Sequence, residues 1–358
     1  MAKIAVIDDW INPSFIKYPE RIEYVFLEKS ISCEKRYIKG STHATVITKM
    51  LETYATEYSI LNIVLASRMD KDQDIGKVRR ALEICEIQHV DIVCMSFGTV
   101  EISDGRVIYD IIKRLYADNI IMLAAADNQG FYMLPSAMRE VIGIGCDLRQ
   151  ELMPGEYIYN LDNFWNIDIT VGDDLNVFTN RKRINPSTSC CVPIVAAYVN
   201  RCINCGIHSQ TDVREWLKEK AIRVRQTNFK REKERIFSSL PIVASEDFCE
   251  KEWMQMIKIM NDIFDIEVMG IGLKMESANY QFLSSTGHNN EEILAFVEEY
   301  TTADIIFLAG EIHRWETVTD IQIEKKEKKY ICKILETGKK FFETRMIDLC
   351  QIIVEALT

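Results

Sequence analysis

Short apolar runs alternate with amphipathic stretches along most of the chain. Lys3-Ile4-Ala5-Val6-Ile7-Asp8 is an almost unbroken apolar run closed by a carboxylate, the form of a strand buried on both faces. Similar runs recur at 60–66, 90–95, 120–126 and 141–146. Between them, Val78, Leu82 and Cys85 share one face of a helix expected from about residue 74 to 87, and another helix is expected over 107–116. A strand at 32–38 leads through Gly40-Ser41-Thr42 into an apolar stripe of Ile47, Met50, Leu51 and Tyr54, which puts His43 at a helix start. Residues 11–30 give no clear period beyond the breaks at Pro13 and Pro19, and 155–185 read as short strands and turns. A buried helix is expected from Ser189, with Val192, Val195, Ala196 and Val199 at helical spacing and Pro193 tolerated near its start; a further helix covers 211–221. Strand and helix in regular alternation predict an α/β fold, a doubly wound parallel sheet with helices on both faces.

The pattern breaks once. Arg223, Arg225, Lys230, Arg231, Lys233 and Arg235 fall in a short polar stretch, read as a basic linker over 223–240 between a domain at 1–222 and a smaller α/β unit at 241–358. In that second unit the expected strands are 241–244, 266–271 and 304–308, and the expected helices 249–262 and 290–300. A closing helix of roughly fifteen residues ends near Leu357. Val243-Ala244-Ser245-Glu246-Asp247-Phe248 stands where a phosphate loop would stand, but it lacks the glycines and lysine that cradle phosphate. A nucleotide-dependent enzyme is therefore disfavoured.

Composition narrows the classes further. With 358 residues and 47% hydrophobic content, the chain can bury a large core. Its 43 basic and 54 acidic residues give a net charge of −11, which argues against nucleic acid or anionic membrane as a partner and leaves a peptide or protein. Eleven cysteines, an odd number, fit reduced thiols better than a disulfide framework, and Cys202-x-x-Cys205 reads as packing. No apolar run has the length of a membrane span, and the N-terminus lacks a signal-peptide pattern; a cytoplasmic location is expected. The acidic residues are too dispersed to mark a metal site, and no cofactor is implied.

Four polar residues stand at element ends: Asp8 closing a strand, His43 and Ser189 opening helices, and Asn128 in the turn after 120–126. Taken singly each is an ordinary cap or turn residue. The order Asp, His, Ser is, however, one of the chain orders in which a hydrolytic triad recurs. Ala5-Val6-Ile7-Asp8, Thr42-His43-Ala44-Thr45-Val46 and Ser187-Thr188-Ser189 followed by Pro193 match, in order, the aspartate, histidine and serine motifs of one family. Met95-Ser96-Phe97-Gly98 and Ala124-Ala125-Ala126-Asp127-Asn128-Gln129-Gly130 match two further segments between them. Over about residues 3–222 the sequence thus resembles the subtilisin-like serine proteases.

The resemblance implies that Ser189 is the nucleophile, His43 the general base and Asp8 the residue that orients it, with the Asn128 amide completing an oxyanion hole. It further implies that Ser96, Phe97 and Gly98 pair with an extended peptide, and that Ala125, Ala126 and Asp127 border the primary specificity pocket, where the Asp127 carboxylate would favour Lys or Arg. With Asp8 so near the first residue, the chain looks like an intracellular member without a prodomain, and such relatives often remove the leader of a ribosomally made peptide. Trp10, Ala44, Asp127 and Ser187 stand where the family usually has glycine. In leader removal the 241–358 unit would bind that peptide or a protein of the maturation system, and a second reading, a peptide-binding or scaffold module of such a system in which the triad is without catalytic use, stands beside the protease.

Overall fold

The computed structural model describes residues 1–27, 42–65, 75–99, 102–128, 133–161, 167–174, 187–226, 239–272, 282–284, 293–295, 297–298, 303–310, 318–327 and 329–358. The strand expected at 32–38 and most of the expected linker lie outside them.

Nine strands form the first sheet: β1 (Ala2–Asp8), β2 (Ile22–Phe26), β3 (Tyr58–Val64), β4 (Ile92–Met95), β5 (Ile121–Ala125), β6 (Ile142–Cys146), β7 (Tyr157–Leu161), β8 (Ile167–Val171) and β9 (Arg223–Gln226). Their order is β2-β3-β1-β4-β5-β6-β8-β7-β9, parallel throughout except where β7 runs against β8. The helices are α1 (His43–Tyr54), α2 (Ile75–Ile87), α3 (Ile102–Ala117), α4 (Thr188–Asn204) and α5 (Gln210–Lys220). Successive β1 side chains point to opposite faces, as a strand requires. Ile4 and Val6 pack with α1, α4 and α5, whereas Ala5 and Ile7 pack with α2 and α3. Both faces are covered, which is why the central strands read as unbroken apolar runs. By the same alternation Asp8 falls on the α1 and α4 side.

The first unit differs from the expected pattern at its edges. A strand, β2, lies within 11–30, where no period was legible; its side chains are only half buried, so they need not be apolar. Arg223–Gln226, expected to open the linker, instead forms β9 and pairs with β7 at the sheet edge. Helix α3 begins at Ile102 rather than 107.

The second sheet has the order β12-β11-β13-β10-β14-β15-β16. Its parallel strands are β10 (Ile242–Ser245), β11 (Val268–Gly272), β12 (Phe282–Ser284), β13 (Ile305–Ala309) and β14 (Ile321–Lys326). Strands β15 (Lys329–Ile334) and β16 (Lys340–Glu343) extend it antiparallel from β14. Helices α6 (Glu250–Phe264) and α7 (Met346–Leu357) pack with Val243, Val268, Ile305 and Phe307 on one face. On the other face Ile242, Ala244, Met269, Ile271, Ile306 and Leu308 belong to the same hydrophobic cluster as Val78, Leu82, Ile108 and Leu115 of α2 and α3. The two sheets therefore share a continuous core.

Candidate active site

Neighbouring strand ends bring the site together. Ile7 of β1 lies opposite Met95 of β4, so the residues that follow, Asp8 and Ser96, emerge side by side at the carboxyl edge of the sheet. Polar groups collect at such edges in α/β folds because the chain turns there and its backbone needs partners.

Asp8 is only 2% exposed. Its Oδ2 lies 2.7 Å from His43 Nδ1, and its Oδ1 accepts the Asp9 N–H at 2.7 Å. A carboxylate only accepts, so Nδ1 carries the proton in the neutral ring and Nε2 keeps its lone pair. The His43 side chain remains 33% exposed. Burial alone would lower the His43 pKa, but the hydrogen bond and charge of Asp8, with the charge of Asp9 added, outweigh it and raise the value above that of an ordinary histidine.

His43 is placed by the first turn of α1. Thr42 caps that helix, accepting the Thr45 N–H at 3.2 Å while its hydroxyl donates to the Trp10 carbonyl at 2.5 Å. Asp9 supplies a second cap from another part of the chain. Its carboxylate accepts the Ala44 N–H at 2.8 Å and the His43 N–H at 3.2 Å, two of the helix-start donors that have no intrahelical acceptor. Burial first, and then the charge of Asp8, raise the Asp9 pKa, with the two N–H bonds working against them. The sequence pointed to Asp8 but not to Asp9; the doublet Asp8-Asp9 was the only signal.

Helix α4 packs against α1 and crosses β1, β4, β5 and β6, so its first turn reaches the same edge. The helix starts at Thr188 with Ser187 at the N-cap, making Ser189 its second residue and Pro193 its sixth. Sequence reasoning put Pro193 at the helix start, where its missing N–H would cost nothing; it lies instead past the first turn. A proline has no N–H for the carbonyl four residues earlier, here that of Ser189. Ser96 fills the gap: its Oγ donates to the Ser189 carbonyl at 3.2 Å and ties the end of β4 to the start of α4.

Asn128 follows β5, and its Oδ1 accepts the Thr188 N–H at 2.9 Å. That bond fixes the amide with its NH2 group free to donate elsewhere. Among the described residues the Ser189 N–H has no backbone acceptor. The Ser189 hydroxyl lies 2.9 Å from Ser187 Oγ, and no hydrogen bond joins it to His43.

The other expected residues border this edge. The backbone groups of Phe97 and Gly98 have no backbone partners among the described residues, whereas Thr99 exchanges both of its hydrogen bonds with Leu134. At Gly98 a Cβ would lie 2.5 Å from Met133 Cγ and 2.8 Å from the Leu134 carbonyl, so the close approach of that chain requires glycine. Ala125 and Ala126 are buried at the end of β5, and Asp127 is half buried beside Asn128. No cluster of three metal-binding side chains occurs among the described residues, and no helix there is long and apolar enough to cross a membrane.

No protein-family model and no curated protein matches the chain. Among solved structures it is similar to the prenylagaramide maturation protease PagA, at 14% identity and a TM-score of 0.42, over 60% of this chain and 80% of that one. It is likewise similar to a lanthipeptide protease, at 14% identity and a TM-score of 0.44, over 62% of this chain and 80% of that one. A third is the nisin leader peptidase NisP from Lactococcus lactis, at 11% identity and a TM-score of 0.42, over 60% and 81% of the respective chains.

Proposed function

We propose that this chain is a subtilisin-like serine endopeptidase that cleaves an extended peptide segment. The observation that carries the reading is the 2.7 Å bond between His43 Nδ1 and the buried Asp8 carboxylate at the sheet edge where the first turn of α4 presents Ser189. That bond fixes the tautomer in which Nε2 can accept a proton.

In the proposed cycle Ser189 Oγ attacks the scissile carbonyl and its proton passes to His43 Nε2. Asp8 stabilises the imidazolium so formed. The oxyanion is held by the Asn128 amide, oriented by its bond to the Thr188 N–H, and by the Ser189 N–H on the helix backbone, so that little reorganisation is needed. Collapse of the intermediate expels the leaving amine, which takes the proton from His43, and water then releases the acyl group by the same steps in reverse. The free backbone groups of Phe97 and Gly98 pair with the substrate as an added strand, which selects an unfolded segment.

The finer reading is a restricted substrate, such as the leader of a ribosomally made peptide, with Lys or Arg at the cleaved position drawn by Asp127. Cleavage of matched peptides that differ only in Arg, Leu or Glu at that position tests the preference; equal rates, or no change in Asp127→Ala, would remove it. The activity itself is tested with a fluorophosphonate probe. Labelling that disappears in Ser189→Ala is expected, and folded wild-type protein that does not react with the probe would rule the activity out.

A further inference from the structure

Ser187 occupies the N-cap of α4 but does not act as a cap. Its side chain makes no capping hydrogen bond, although serine is favoured at that position because its oxygen can accept a helix-start N–H. The N–H groups on either side of Ser189 are met otherwise: Asn128 Oδ1 takes the Thr188 N–H, and the Ser187 carbonyl takes the Cys190 N–H at 3.0 Å. Nor does the backbone call for a special residue, since φ −147° and ψ 133° are extended values open to any side chain. The hydroxyl is thus free of structural duty. It lies 2.9 Å from Ser189 Oγ.

Of two hydroxyls in contact one donates its proton to the other's oxygen, and either can be the donor. If Ser189 donates to Ser187, its proton is directed to an oxygen that cannot serve as a base at neutral pH. If Ser187 donates to Ser189, one lone pair is occupied, while the Ser189 proton and its second lone pair stay available. No hydrogen bond joins Ser189 to His43, so Ser187 Oγ is the acceptor within reach of the Ser189 proton, and when it accepts that proton the pair must part before Ser189 can donate to His43. The Cys190 thiol, also beside Ser189, does not compete as a base: burial pushes its pKa up to about 11, with Ser189 acting in the opposite direction, so it stays protonated.

We propose that Ser187 is a positioning residue whose Oγ accepts the proton of the resting Ser189 hydroxyl and so withholds it from His43, and that acylation requires this bond to be exchanged for the Ser189–His43 bond. The inference rests on Ser189 being the nucleophile. It gives a function to a hydroxyl that stands where the resembling family has glycine.

The test is the second-order rate of fluorophosphonate labelling of the full chain, measured at a pH above the His43 titration. In that reaction a Ser189 Oγ–P bond forms, the P–F bond breaks with departure of fluoride, and the serine proton passes to His43 Nε2. Ser187→Ala and Ser187→Gly are expected to label about three- to tenfold faster, the kinetic equivalent of one neutral hydrogen bond. Ser187→Thr, which restores a hydroxyl, is expected to bring back the slow rate, an effect that a change of packing would not produce. Labelling of Ser187→Ala at the wild-type rate or slower, or equal acceleration in Ser187→Thr, overturns the inference while leaving the protease standing. Labelling that persists in Ser189→Ala, or fails in wild type and variants alike, overturns the protease reading and the inference with it.

Discussion

Asn128 and Thr188 are joined by a 2.9 Å hydrogen bond in which the side-chain oxygen of one accepts the backbone N–H of the other. The bond fastens the turn after β5 to the first residue of α4. It gives Asn128 two tasks, a cap through Oδ1 and a free donor through Nδ2, and substitutions can separate them.

Asn128→Asp keeps an acceptor for Thr188 but removes the donor. Its kcat is expected to fall about 10²- to 10³-fold with KM little changed, the loss typical of one oxyanion donor. Asn128→Ala should show the same fall and also lose about 1 kcal/mol of stability with the cap. Steady-state kinetics and chemical denaturation on the two variants check both parts.

The raised His43 pKa sets the pH dependence. In the proposed cycle neutral imidazole is the base, so kcat/KM should rise with pH through a midpoint above the ordinary histidine value of about 6.5. Stability runs the other way: what the Asp8–His43 pair contributes is present in full below the unfolded-state pKa and is lost as pH rises through the higher folded-state value. Asp8→Asn favours the wrong tautomer and should cost roughly 10⁴-fold in kcat. Peptide hydrolysis across pH 5–9, set beside the urea midpoint at each pH, would show the opposed trends.

Asp9 touches no substrate in the proposed cycle, yet it holds the backbone of the base. Asp9→Ala frees the N–H groups of His43 and Ala44 and is expected to destabilise the fold by about 0.5–2 kcal/mol. Loosening of the imidazole should lower kcat more than it raises KM. Asp9→Asn keeps one oxygen acceptor and should fall between. Thermal melts and steady-state kinetics of the pair provide the check.

Gly98→Ala tests the proposed peptide-binding segment. Met133 can move away from the new methyl, but the Leu134 carbonyl is fixed by its exchange of hydrogen bonds with Thr99. The strain should cost about 1–3 kcal/mol and push the 96–98 segment out of register with substrate. KM for an extended peptide should therefore rise, measurable alongside the loss of Tm.

The central strands β1, β3, β4, β5 and β6 were legible because burial on both faces leaves little room for polar residues. Strand β2 was not, since its exposure removes that constraint. Strands β14 to β16 were missed for a related reason: exposed lysines and glutamates stand among their buried positions, and β16 is half exposed throughout. Strand β9 was hidden by its arginines, which suit a sheet edge as well as a solvated linker. Asp8 and His43 could be placed because one ends a strand and the other opens a helix, and Asn128 and Ser189 because they fall within three residues of an element end, places that local pattern marks. The Asp9 bonds to α1 span more than thirty positions, and no local rule reaches so far. Pro193 did carry a clue to Ser96: a proline within a helix leaves a carbonyl in want of a donor.

The core shared by the two sheets bears on how the molecule comes apart. Ile242, Met269 and Ile306 cover apolar surface that α2 and α3 would otherwise show to water. Trimming the chain after residue 240 would uncover that surface, creating a sticky face on the remainder rather than a minimal, well-behaved fragment. The C-terminal unit is in this sense a wall of the house and not an annex. Loss of order in either sheet should spread to the other in a single cooperative melt.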